Sequence, residues 1–135
     1  MKKYKILEHT ADLKIEVYGK NKKDLFSNAF LAMMDSFRSE TKNKNSETRI
    51  VKVRSSDLET LLVDFLSKVL YLTQVNREIY NNIKFSKFSD KELEIELFGE
   101  KVERFGLDIK AVTYHNLDVS QKKDGSWKAV ILFDI

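Results

Sequence analysis

The chain has 135 residues, 42% hydrophobic and 33% charged, with 24 basic against 21 acidic residues and a net charge of +3. That length suits one domain over residues 1–135, with a single core and about two thirds of the unfolded surface buried. A charge this balanced is no electrostatic footprint for nucleic acid, and the lack of cysteine excludes disulfides and thiolate metal sites. No apolar run reaches the roughly 20 residues a membrane helix needs, and the Lys-rich start lacks the apolar stretch of a signal peptide. A cytoplasmic protein with no membrane partner is expected.

Residues 4–18 open with a short apolar strand signal at Ile6 and Leu7, break at a polar stretch holding His9 and Thr10, and then alternate at Leu13, Ile15 and Val17. Asp12 falls at the junction, on the strand face it shares with Lys14 and Glu16. Asn21 with Asp24 suits a helix N-cap, and Leu25, Phe26, Ala29, Phe30, Met33, Met34 and Phe37 follow at helical spacing as a core-facing stripe. The polar run SETKNKNSE then reads as a loop.

Residues 49–54 (RIVKVR) predict a strand, and Ser56 with Glu59 has the form of a capping box opening a second helix that runs to about Val75. Leu58, Leu61, Leu62, Phe65, Leu66, Val69 and Leu70 form its buried stripe, with Asp64 and Lys68 four apart on the margin, where a surface ion pair is the ordinary role. A hairpin is expected over 83–98, turning at Ser89-Asp90, with Leu93, Ile95 and Leu97 on one face. Residues 100–108 hold one helical turn or a loop. The last 27 residues predict two strands joined at Asp124-Gly125, the first carrying Lys110 and His115 and the second ending in Asp134 and Ile135. The expected fold is α+β: six or seven strands in a mixed, mostly antiparallel sheet, with two main helices side by side on one face.

No phosphate-binding glycine loop, G-x-S-x-G, H-E-x-x-H or dinucleotide fingerprint is present. Three carboxylates remain: Asp12, Asp134 and the α-carboxylate of Ile135. Were the first strand to lie beside the last, they would converge and call for a counter-charge, either Lys110 or a divalent cation with oxygen ligands. Spacing alone favours the plainer reading, in which Asp12 ends a turn and the C-terminus frays. His9 and His115 make no ligand spacing, and each alone reads as a hydrogen-bonded structural residue.

Five stretches, HTADLKIEVYG, DLFSNAF, LLVDFLSKVLYL, IKAVTYHNLDV and WKAVILFDI, resemble in order and spacing the archease family. The resemblance implies a non-catalytic cofactor that promotes GTP-dependent guanylylation and multiple turnover of an RtcB-type RNA ligase in tRNA splicing or RNA repair. Such a cofactor meets RNA only through the ligase. The family's metal site maps onto Asp12, Asp134 and Ile135, with calcium the expected cation and manganese or magnesium as alternatives. Ligase activation maps onto Asp12, Lys110 and Asp134, with His9, Asp64 and His115 as supporting positions. Lys14, Phe65, Ser67 and the ERFGLD segment depart from the family's usual residues. A chaperone, an RNA-binding module and a metal-dependent phosphoesterase are the competing readings, and the oligomeric state stays open.

Overall fold

The computed structural model describes residues 2–7 and 12–135. Seven strands and two helices follow one another as β1 (Tyr4–Leu7), β2 (Asp12–Gly19), α1 (Lys22–Ser36), β3 (Glu47–Arg54), α2 (Leu58–Asn76), β4 (Glu78–Phe88), β5 (Glu92–Lys101), β6 (Ala111–Gln121) and β7 (Trp127–Asp134). The α+β class and the element count match expectation. The strands, however, divide between two sheets, one of order β1-β2-β7-β6 and one of order β3-β5-β4, and every pairing is antiparallel. Strand periodicity tells which face is buried and is silent on which strands share a sheet.

The helices lie on the inner faces of both sheets. Leu13, Ile15, Val17, Ala129, Ile131 and Phe133 from the first sheet and Val51, Leu93, Ile95 and Leu97 from the second join a single apolar cluster with both helices. A helix enclosed by two sheets must be apolar over more than one stripe. In α1 the expected stripe is buried, and so is an adjoining row of Asn28, Ala32 and Ser36. The polar members of that row are satisfied locally: Asn28 donates to the Tyr18 carbonyl at 2.7 Å and Ser36 to the Ala32 carbonyl at 2.7 Å. Phe26 of α1 stacks on Phe65 of α2 with ring centroids 5.7 Å apart.

Asn21 caps α1 as expected, its side chain accepting the Asp24 N–H at 2.8 Å. The cap of α2 is shifted by one residue. Asp57, not Ser56, takes the N-cap and accepts the Thr60 N–H at 2.8 Å; a carboxylate facing the helix N-terminus also meets the favourable end of the helix dipole. Residues 102–110 form a loop without a helical turn, pinned where the Phe37 carbonyl accepts the N–H groups of Gly106 and Leu107 at 2.8 and 2.9 Å.

Two buried carboxylates brace the second sheet. Glu78 is fully buried, receives a two-point fork from Arg49 at 2.9 and 2.7 Å, and accepts the Tyr80 hydroxyl at 2.7 Å. Burial alone would raise its pKa, but Arg49, Tyr80 and Lys101 outweigh that and hold it below the usual carboxylate value. Glu100 accepts the N–H groups of Lys42 and Lys44 at 2.7 and 2.6 Å and so fixes the loop between α1 and β3. On the outer face of this sheet, β5 presents Glu92, Glu94 and Glu96 between two basic strands. Arg54 and Lys87 flank Glu92 at 3.0 and 2.9 Å, and Lys52 stands 3.8 Å from Glu94.

Candidate functional site

The site follows from the register of β2 on β7, which runs from Gly19 opposite Trp127 to Asp12 opposite Asp134. Directly opposed residues on neighbouring strands share a face, with Cβ atoms about 4.5–5.5 Å apart. Two carboxylates from opposite ends of the sequence are therefore juxtaposed on the sheet face turned away from the helices. The opening of β6 joins them: the Lys110 N–H donates to the Asp134 carbonyl at 2.7 Å, and Ala111 pairs with Asp134. Asp12 is half-buried, Asp134 and Lys110 are exposed, and Ile135 is 38% exposed beside them. The plainer sequence reading, a frayed C-terminus, gives way to paired strand up to Asp134.

Further along the same face Glu16 ties three strands together. It accepts from Lys128 of β7 at 2.8 Å and Tyr18 at 2.9 Å, and it lies 3.4 Å from Lys5 of β1. The bonds from Lys128 and Tyr18, working against desolvation, pull its carboxyl down to about 2. This cross-strand tie holds the register that sets Asp12 opposite Asp134.

The donor set suits a hard cation. Both side chains offer carboxylate oxygens, the ligands of calcium, magnesium and manganese. Among the described residues no three His, Asp or Glu side chains come together as a metal-binding group, so the remaining ligands would be main-chain oxygens and water. His9 and Thr10 lie outside the described residues. His115 is exposed, and its N–H donates to Thr113 Oγ1 at 3.2 Å.

Asp64 has a different role from the one its spacing to Lys68 suggests. Its two oxygens accept hydroxyls from Ser55 at 2.6 Å and Tyr114 at 3.0 Å, while Lys68 rests over the Tyr71 ring, 5.6 Å from its centroid. Tyr114 opens an irregularity in β6, where residues 114–117 lie opposite the single Ile131 between the pairs Thr113–Leu132 and Asp118–Val130. Within it Asn116 adopts φ 55°, a left-handed conformation Asn tolerates better than most residues. Desolvation first, then the hydrogen bond and charge of Asp64, push the Tyr114 hydroxyl up. Sequence reading missed Tyr114, Ser55 and Gln74, whose side chain donates to the Ile109 carbonyl at 2.7 Å. The one available signal was the Asn that interrupts alternation in TYHNLDV.

The model of the archease protein family (MTH1598/TM1083) matches residues 4–135. The chain belongs to the archease family. It is 37% identical over 142 aligned residues to the protein archease of Methanosarcina barkeri, covering 99% of this chain and 97% of that one. The solution structure of Methanobacterium thermoautotrophicum protein 1598 superposes with a TM-score of 0.78 at 28% identity, over 100% of both chains. The crystal structure of a Thermotoga maritima archease, described as a possible chaperone, shares the fold with a TM-score of 0.71 at 23% identity, over 97% of this chain and 96% of that one. No helix among the described residues is long and apolar enough to cross a membrane.

Proposed function

We propose that this archease-family chain is a non-catalytic cofactor of an RtcB-type RNA ligase, promoting the ligase's GTP-dependent guanylylation and multiple turnover. Asp12, Asp134 and Ile135 would hold one hard divalent cation, calcium first and manganese or magnesium as alternatives. The observation that carries the reading is the direct cross-strand opposition of Asp12 and Asp134 in a family member where Lys110, the residue just before β6, is hydrogen-bonded through its main chain to Asp134. When bound, the cation supplies positive charge between the carboxylates. The two strands hold their aspartates in register without a loop rearrangement, and the Lys110 ammonium adds a cationic group suited to phosphate oxygens of a nucleotide. RNA is met through the ligase, in keeping with the weak net charge of the chain.

The test mixes the protein with an RtcB-type ligase, GTP, manganese and an excess of RNA with joinable ends. Turnover is expected to exceed one ligation per ligase with the native chain and to fall by at least tenfold with Asp134→Asn, which should also weaken calcium or manganese binding in calorimetry. Full stimulation by Asp134→Asn would overturn the reading. Release of phosphate or cut RNA by the chain alone would move it to the phosphoesterase class. Suppression of aggregation without any ligase would favour the chaperone description attached to the Thermotoga maritima protein.

A further inference from the structure

The first sheet ends at β6, which has β7 on one side and, among the described residues, no strand on the other. Across residues 114–117 even the ladder to β7 is interrupted. A strand segment released in this way would ordinarily fluctuate, yet it adjoins Lys110 and carries His115. The restraint comes from α2. Gln74 holds the Ile109 carbonyl at 2.7 Å, and Asp64 holds the Tyr114 hydroxyl at 3.0 Å.

The two contacts are matched in length. Ten helical residues separate Asp64 from Gln74, about 15 Å at 1.5 Å per residue, and five residues separate Ile109 from Tyr114, at most about 16–17 Å at the 3.3 Å per residue of a strand. The stretch from Ile109 to Tyr114 therefore runs antiparallel to the helix and is held at its own two ends, one just before β6 and one inside it. The Tyr114 side is the critical one. Its ring is 55% exposed, so packing restrains it weakly, and a hydrogen bond to a carboxylate is stronger than one between neutral groups. Asp64 is in turn oriented by Ser55 at 2.6 Å, and the Ser55 N–H is bonded to the Lys91 carbonyl at 2.7 Å in the turn joining β4 to β5.

We propose that Asp64 is a positioning residue of the candidate site: through Tyr114 it holds the irregular segment of β6 against α2, fixing Lys110 to His115 relative to the Asp12–Asp134 pair. Its functional consequence rests on the cofactor reading above. The grip itself does not, and the experiment separates the two.

Tyr114→Phe removes only the hydroxyl, Asp64→Ala removes the acceptor, and Asp64→Asn keeps one. Amide hydrogen exchange at residues 114–117 should accelerate more than tenfold in Tyr114→Phe and Asp64→Ala and clearly less in Asp64→Asn, which keeps a weaker, neutral acceptor. The double variant should be no worse than either single one, because both cut the same link. Stimulated ligase turnover should fall about fivefold or more in the same two variants, while manganese affinity stays within twofold of native because Asp12 and Asp134 are untouched. Native exchange in Tyr114→Phe would overturn the grip, and accelerated exchange with unchanged turnover would overturn the positioning role. A native chain that stimulates no ligation would sink the cofactor reading alone, leaving exchange to decide the grip.

Discussion

Replacing Glu78 by Gln tests how much of this fold depends on one buried charge. Glu78 is fully buried, whereas the Arg49 side chain that forks onto it is 35% exposed. Removing one partner of a fully buried ion pair costs about 3–5 kcal/mol. Here water can reach part of the stranded guanidinium, and the amide oxygen of Gln still accepts the Tyr80 hydroxyl, so the expected loss is about 2–3 kcal/mol. With an unfolding entropy of about 2.1 cal/mol/K per residue, that loss lowers Tm by roughly 7–11 °C. The pH dependence has a definite sign. Its neighbours hold the folded pKa of Glu78 below the ordinary glutamate value of 4.5, so its contribution is present above 4.5 and fades as pH falls through the lower folded value. Thermal melts followed by circular dichroism at pH 7 and at successively lower pH should show a large gap between native and Glu78→Gln that narrows in acid. A Tm within 2 °C of native at pH 7, or a gap that does not change with pH, would refute the reasoning.

Glu16→Gln should cost about 1 kcal/mol at neutral pH, because Lys5 and Lys128 are partly solvated and such pairs are screened; since the native carboxyl titrates near 2, the difference should persist below pH 4.5 and disappear only toward pH 2, as chemical denaturation across that range would reveal. Gly99→Ala should be far more damaging. A Cβ there would collide with the Ile79 carbonyl oxygen and stand 2.7 Å from Tyr80 Cα, backbone atoms that cannot yield, beside the register shift between Tyr80 and Asn82. About 3 kcal/mol or more is expected from the urea midpoint, and a loss below 1 kcal/mol would mean the strands can separate at no great cost.

The helices were legible because apolar spacing of 3.6 residues needs no partner to be recognised: every residue of the stripe from Leu25 to Phe37 is buried. The α2 cap was misread because Ser56 and Asp57 are adjacent cap-formers and sequence cannot rank two acceptors one residue apart. The alternation of β2 and β7 placed Asp12 and Asp134 on polar faces, but their opposition depends on a register between strands separated by most of the chain, and no local pattern encodes that. Asp64 shows the same limit at side-chain scale. Helical spacing offered Lys68 as a neighbour, whereas the partner came from an irregularity in β6 whose only local mark is Asn116.

The arrangement of charge on the three-stranded sheet bears on how copies of this chain treat one another. Its acidic strand is locked in the middle, and both borders carry lysine or arginine: Lys52 and Arg54 on β3, Lys84 and Lys87 on β4. Extending the sheet by apposing two such borders would set cation against cation with no glutamate between them. Open strand edges are a standing invitation to stack into fibres, and charged borders, lysine above all, are a common defence. This sheet stabilises itself from within by alternating signs and, with the same residues, repels its own continuation.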